Sequence, residues 1–313
     1  MLLFLNPRAR GGAGLKRWEA AREKLRERGL LEQLEVITDT ERLQSAVLRQ
    51  SECGDGRVVA VGGDGTVNRL VDTIMHLPRP MRERLVLGAI GTGSSNDFHK
   101  PYQLSDCIVP GVPARLGWSS PQPHNVGQTD YLSTDKKWYR RHFVVNSSFG
   151  VLAAANQFFN SSCGLVTWLK PRWLNLCIWY AGLRTLMTEP AFEAVIHGPF
   201  MPIRGAMMNL SILLNQHISG GFTIDIPVSS STASFGVALC EEMNKMRRLR
   251  TLASMARGRF VGLPGTRALQ CAGITVQANR PVPLELDGEV FMATQVHVKL
   301  LHGAIQVCSR QSY

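Results

Sequence analysis

Residues 58–68 read Val-Val-Ala-Val-Gly-Gly-Asp-Gly-Thr-Val-Asn, and this run limits the fold more than any other part of the chain. Val58, Val59, Ala60 and Val61 are four apolar residues bounded by turn formers, as in a strand buried on both faces of a parallel sheet. Val67, Leu70, Val71 and Ile74 then recur at the spacing of one helix face. Between strand and helix lie Gly62, Gly63 and Gly65, which let the backbone approach a ligand closely. The helix start beyond them offers unpaired N–H groups and the positive end of a dipole, a combination suited to phosphate. The spacing is neither that of a Walker loop with its lysine nor that of the three Rossmann glycines. Asp64, in the middle of the turn, would repel phosphate unless it holds a metal ion or orients a hydroxyl.

The same unit recurs. Leu2, Leu3, Phe4 and Leu5 form a short strand, Asn6, Pro7 and Arg8 open a glycine-rich loop ending at Gly14, and a helix is expected over 15–28. A strand at 34–38 and a helix at 41–50, with Leu43, Ala46 and Val47 on one face, precede the central run. After it, a strand at 85–90 breaks into Gly91, Thr92, Gly93, Ser94, Ser95, Asn96, Asp97 and Phe98. Alternating strands and helices to about residue 115 predict a parallel α/β sheet. Right-handed crossovers would put all three loops on its carboxyl edge, where such sheets bind ligands.

From residue 117 to 137 Pro, Ser, Gln, His and Asn dominate, and the stretch reads as a linker or exposed loops. Beyond it, runs of β type at 143–146, 192–197, 206–215, 235–240, 272–278, 283–286, 295–300 and 304–308 indicate a β-rich second domain, a sandwich. Two helical inserts interrupt it. The first, 165–187, is rich in Trp, Leu and Ile, with Pro171 placed to start a helix, and reads as core-packing in preference to membrane-contacting. The second, 241–257, is basic. Length alone implies two cores for 313 residues, assigned as 1–118 and 119–313, with the last segment able to return to the first domain. An edge strand of the second domain could pair in a homodimer.

The formal charge of +11 calls for an anionic partner, and its distribution is uneven. Residues 243–284 contain no Asp or Glu but include Lys245, Arg247, Arg248, Arg250, Arg257, Arg259, Arg267 and Arg280. No nucleic-acid motif accompanies this charge, so an anionic membrane surface is the favoured partner and a nucleic acid is not. No window of 18 apolar residues occurs, and the reading is a cytoplasmic protein associated peripherally with the membrane. The seven scattered cysteines and eight histidines show no zinc spacing.

Taken together, Asn6-Pro7, residues 62–68, and Gly91-Thr92-Gly93 with Asn96-Asp97-Phe98 resemble the diacylglycerol kinase catalytic domain family, to which bacterial lipid kinases, sphingosine kinases and ceramide kinases belong. Leu286-Asp287-Gly288-Glu289 is similar to that family's DGE motif. The resemblance implies a Rossmann-like, NAD kinase-like α/β domain followed by a β-sandwich, a two-domain α+β chain that transfers phosphate from ATP to a lipid hydroxyl, diacylglycerol or a sphingoid-type alcohol. It implies ATP binding by Asn6, Pro7, Arg8, Thr38, Gly62, Gly63, Asp64, Gly65, Thr66, Asn68, Thr92, Asn96 and Asp97. Mg²⁺ would be held by Asp64 and Asp97, and Asp287 with Glu289 would supply the general base. A carboxylate there would take the hydroxyl proton as oxygen attacks the γ-phosphate.

Three positions depart from the family pattern. The loop at 91–98 is one residue longer than the usual GTGNDF, Arg69 stands where a Glu commonly follows the glycine loop, and Ser234-Phe235 replaces an Asp-Gly that holds a structural Mg²⁺. Two other functions fit the same residues: a nucleotide-binding protein with little or no turnover, and a kinase of a soluble alcohol or of NAD.

Overall fold

The computed structural model describes residues 1–29, 34–101, 107–161, 164–169, 173–229 and 231–309. The chain divides into two compact units, Met1–Val126 with the segment from Gly303 onward, and Gly127–His302. The boundary expected at 118 falls inside a strand.

In the first unit the order is β1 (Leu2–Leu5), α1 (Ala13–Glu27), β2 (Glu35–Ile37), α2 (Thr40–Glu52), β3 (Arg57–Gly62), α3 (Asp64–Met75), the single turn α4 (Arg79–Arg82), β4 (Val86–Gly91), β5 (Cys107–Val109) and β6 (Val112–Arg115). Strands β2, β1, β3 and β4 lie side by side in that order, all parallel, with Phe4 opposite Ile37, Leu5 opposite Val61, and Gly62 opposite Gly91. This register brings the ends of all four strands to one edge. Trp18, Ala21 and Leu25 of α1, spaced as one helix face, pack with Leu3, Leu5, Val59, Val61 and Ile90. Val67, Leu70, Val71 and Ile74 of α3 are all buried, as their spacing predicts. Each such side chain contributes about 1.5–3 kcal/mol of transfer free energy, so the short helix after the glycine turn is fixed by packing.

The strand β7 (Gly117–Ser133) follows, and the second unit continues with β8 (Trp138–Phe143), β9 (Asn146–Gly150), α5 (Val151–Asn160), α6 (Gly164–Leu169), α7 (Leu174–Thr188), β10 (Phe192–His197), β11 (Ile203–Leu213), β12 (His217–Ile218), β13 (Phe222–Thr223), β14 (Phe235–Glu241), α8 (Lys245–Met255), β15 (Thr266–Cys271), β16 (Gly273–Leu286) and β17 (Glu289–Ser309). Its sheet runs β15, β14, β11, β10, β16, β17, with antiparallel pairing throughout. Strand β9 pairs with both β11 and β16. Phe143, Phe149, Phe192, Phe235 and the Leu and Val residues of β11, β14 and β16 make the core. The N-terminal α/β domain and β-rich C-terminal domain expected from sequence are therefore both present. The last residues of β17 lie parallel to β4 through Gln306 and Val307, inside the first unit.

Several sequence expectations are corrected. The polar stretch 117–137 is not a linker: most of it is β7, paired with β8 from Gly127 opposite Phe143 to Leu132 opposite Trp138. Its strand character comes from cross-strand polar pairs in place of apolar alternation, above all Asp130 with Arg140 at 2.6 and 3.0 Å. The run 143–146 is not one strand; the chain bends at Val144 and Val145, whose N–H groups turn to a side chain described below. The runs at 272–278 and 283–286 form the single strand β16, with an irregularity between Gln277 and Val282. The insert 165–187 forms two helices, α6 and α7; Pro171 lies outside the described residues. The basic helix begins only at Lys245, because Glu241 still pairs with Met207 in the sheet and Asn244 caps the helix by accepting from Arg247 N at 3.0 Å.

Candidate functional site

The carboxyl edge of the first unit gathers Asn6, Thr38, residues 62–68 and residues 91–98, since each directly follows or begins at the end of a parallel strand. The Asn6 side chain links two of these loops: Nδ2 donates to Thr66 Oγ1 at 3.1 Å and Oδ1 accepts from Arg8 N at 3.0 Å. After Arg8 the backbone takes consecutive left-handed conformations at Arg10, Gly11 and Gly12. Successive N–H groups in such a turn form a concavity that favours anions. Both α1 and α3 start without a side-chain cap, at Gly12 and Gly63 respectively, although Ala13 N already donates to Ala9 O and Arg10 O, and Thr66 N to Gly63 O at 2.9 Å.

The third loop closes tightly on the second. Thr92 N and Gly93 N both donate to Gly62 O, at 2.9 and 3.1 Å. A Cβ on Gly93 would lie 2.2 Å from Gly63 Cα, so glycine is required for this approach. Thr92 is fully buried, and its Oγ1 has no hydrogen-bond partner, an orphaned hydroxyl on an edge otherwise shaped for phosphate. A nucleotide fits these residues. The extra residue of the loop is absorbed by Asn96, left-handed at φ 51°, whose side chain accepts from Gly93 N at 3.1 Å and donates to Gly91 O at 3.2 Å. Asn96 thus braces the loop from within.

The two candidate metal carboxylates have different surroundings. Asp64 Oδ1 accepts from Phe98 N at 2.9 Å, tying the start of α3 to the far end of the third loop. Asp97 is buried and ion-paired with Lys100 at 2.5 Å. Of the two, Asp64 is the one whose position in the glycine turn fits a divalent ion beside phosphate. Pro7, Arg8 and Thr38 are exposed, while Thr66 and Asn68 are buried in the first turns of α3.

Behind this loop lies a group no motif announced. The Arg115 guanidinium stands 4.7 Å over the Phe98 ring, and Phe98 also packs against the rings of His99 and His124. Burial first, and the charge of Arg115 second, push both imidazoles down to about 3. They are neutral in the folded protein at ordinary pH. No spacing in sequence joins residues 98, 99, 115 and 124; only the sheet does.

In the second unit, Leu286-Asp287-Gly288-Glu289 is the two-residue turn of the β16–β17 hairpin, with Leu286 opposite Glu289 and φ of 46° at Asp287 and 100° at Gly288. Both central residues are left-handed, the geometry that Asp-Gly favours. Asp287 is buried, and its carboxylate accepts from Val144 N at 2.7 Å, Val145 N at 2.9 Å and Asn146 N at 2.9 Å. Gly288 N donates to Glu285 Oε1. Glu289 is half-buried at the start of β17. The three N–H groups on Asp287 are main-chain donors, so the sequence carried no sign of them. The same unit holds an apolar cavity lined in part by Val151, Leu152, Leu186, Met208, Leu252 and Phe260, on α5, α7, β11 and α8 and the segment after it.

Comparison with known proteins agrees with both halves. Residues 1–114 match the profile of the diacylglycerol kinase catalytic domain, and residues 173–309 match that of the YegS C-terminal NAD kinase beta sandwich-like domain. The chain is 22% identical over 259 residues to a protein named diacylglycerol kinase from Bacillus subtilis (strain 168), covering 80% of this chain and 75% of that one. A 73-residue segment is 50% identical to a YegS-like lipid kinase of Chromohalobacter salexigens, 21% of this chain and 23% of the relative. A crystal structure of a diacylglycerol kinase from Bacillus anthracis str. Sterne superposes with a TM-score of 0.60 at 14% identity over 99% of this chain and 97% of that one. Another solved structure from that organism reaches 0.68 at 15% identity, with 99% and 97% covered, and these likenesses establish the fold. The two matched domains, in this order and with the motif loops on one sheet edge, give the chain a diacylglycerol kinase catalytic domain over residues 1–114 and a YegS-type C-terminal domain over residues 173–309.

Proposed function

We propose that the protein is an ATP-dependent kinase of a lipid hydroxyl, acting on a diacylglycerol or sphingoid-type acceptor at a membrane surface. The observation that carries this reading is the edge formed by Asn6, residues 62–66 and Thr92, where a buried hydroxyl without a partner and two uncapped helix starts converge in one parallel register. Bound ATP with Mg²⁺ would supply the transferable phosphoryl group and offset its charge. The left-handed turn at residues 10–12 and the N–H groups at the start of α3 would hold phosphate oxygens. Thr92 would donate its hydroxyl proton to the nucleotide, and Asp64 would face the metal from the glycine turn.

Asp287 and Glu289 are the proposed acceptors of the acceptor-hydroxyl proton. The three main-chain bonds hold the Asp287 carboxylate in one orientation, and Glu289 follows two residues later at the start of β17. The cavity of the second unit suits part of an acyl chain, because eleven of its fifteen lining residues are aliphatic, aromatic or sulfur-bearing.

The test is transfer of labelled phosphate from Mg-ATP to a panel of lipids in mixed micelles. Labelling of a diacylglycerol or sphingoid base, abolished in Asp287→Asn, is the expected result. ATP binding without any labelled product, or labelling of a soluble alcohol alone, would overturn the assignment.

A further inference from the structure

Helix α7 exposes the wrong kind of face for a helix that ends in water. Leu176, Trp179 and Leu183 recur at i, i+3 and i+7, and each is 44–52% exposed. Cys177, Ala181 and Thr185 form its buried side, so the helix is largely apolar on both faces. Trp173, at its N-cap, and Trp168, at the end of α6, are 55% and 49% exposed, with their rings edge to face at 5.7 Å. Arg184 of α7 is laid over the Phe158 ring at 4.2 Å.

Helix α8 is locked beside it. Arg248 Nη1 donates to Leu186 O at 2.9 Å and Glu189 O at 3.3 Å, and its Nε donates to Met243 O at 2.9 Å, which caps the carboxyl end of α7 with the first turns of α8. Thr251, Leu252 and Met255 face inward. On the opposite side Met246, Arg250 and Ala253 are exposed at i, i+4 and i+7, with Arg257 one further turn along and Lys245, Arg247 and Arg259 nearby, all exposed. An apolar, tryptophan-bearing face and a basic face with no acidic residue between 243 and 284 therefore lie on adjacent helices of one unit.

We propose that α6, α7 and α8 together form the docking surface for an anionic lipid bilayer. Tryptophan is favoured at the headgroup level, and lysine and arginine are drawn to anionic lipid within a Debye length. Among the described residues no helix is long and apolar enough to cross a membrane, so the helices lie in the interface. A second copy of the chain is the weaker occupant, because a self-complementary contact would bring this basic cluster against its own copy. Helices α7 and α8 also line the apolar cavity through Leu186, Leu252 and Met255. A molecule entering that cavity from a bilayer would pass beside the docked helices. The inference names the membrane partner of the kinase reading and rests on that reading only for the substrate.

The experiment is co-sedimentation of the full chain with phosphatidylcholine vesicles and with phosphatidylcholine–phosphatidylglycerol vesicles at 0.1 M salt, alongside tryptophan quenching by brominated lipid. The wild type should pellet with the anionic vesicles and be quenched. Arg250→Glu with Arg257→Glu should weaken binding by roughly fivefold or more for each arginine. Trp173→Ala with Trp179→Ala should lose both binding and quenching, with far-UV circular dichroism and phosphorylation of a dispersed short-chain acceptor unchanged. Failure of the wild type to bind, equal binding by the variants, or a dimer that shields these tryptophans from a soluble quencher would overturn the docking surface. Phosphorylation of the short-chain acceptor without vesicle binding would sink this inference alone, whereas vesicle binding without any transfer would sink the kinase reading alone.

Discussion

Asp287 and Val144 are joined by a 2.7 Å hydrogen bond from the Val144 N–H to Oδ2 of the carboxylate, across 143 positions of sequence. With the donors at Val145 and Asn146 it makes the turn of the β16–β17 hairpin and the bend between β8 and β9 a single structure. A residue proposed for proton transfer is thus also a support of its own unit, and the two roles can be separated by measurement.

Asp287→Asn puts an amide N–H₂ where one carboxylate oxygen now accepts. One main-chain donor then faces another donor, at a cost of about 1–3 kcal/mol. Chemical denaturation should show that loss together with loss of lipid phosphorylation. Glu289→Gln should also lower kcat, since it removes the second proposed proton acceptor. An unchanged midpoint in Asp287→Asn would contradict the structural role.

Thr92→Val removes a buried hydroxyl that has no partner in the folded protein. The folded state should be as stable as wild type or gain up to about 1 kcal/mol. ATP affinity, measured by calorimetry, should fall about tenfold, equivalent to one hydrogen bond of about 1.4 kcal/mol. Equal loss of stability and affinity would place the hydroxyl in the fold instead of the nucleotide site.

Gly93→Ala would set a methyl 2.2 Å from Gly63 Cα, so the second and third loops must part. The expected cost is about 1–3 kcal/mol, with ATP binding lost at protein concentrations where the variant remains folded. Gly221→Ala, with nothing within 4 Å of its Cβ, serves as the control and should change neither.

Acid should destabilise the first unit through His99 and His124. Their folded values lie at about 3, below the ordinary histidine value of 6.5, so the unfolded chain binds more protons between those limits. Stability from this source is fully present above pH 6.5 and is lost as pH falls toward 3, by about 1.4 kcal/mol per pH unit per histidine. Urea midpoints at pH 7, 6, 5 and 4 should fall accordingly, and His99→Gln should flatten the profile by about half.

Much of the carboxyl edge proposed for the nucleotide could be read from sequence, because glycine turns after buried strands are local signals and a parallel sheet aligns them. Gly62 and Gly91 sit opposite each other for that reason. The bracing of the lengthened loop by Asn96 was not legible, since an asparagine in a glycine-rich run looks the same whether it faces ligand or its own backbone. The strand β7 was missed because Asp130 and Arg140 replace apolar alternation with a charge pair visible only across strands. Helix α7 reads as core from composition; only the packing shows which of its apolar residues stay outside. The Arg115, Phe98, His99 and His124 group has no sequence signature at all, being assembled by strand neighbours.

The reach of the Asp287 bonds also sets an order of assembly. The hairpin turn is local and can close within microseconds, but its carboxylate meets Val144, Val145 and Asn146 only after β9 has docked on β16, an event of high sequence separation and so of slow search. The turn, being local, can close before it is anchored. Until β9 has docked on β16 the three main-chain donors are not gathered on this carboxylate, and the chemistry proposed for it would wait on the folding of the second unit.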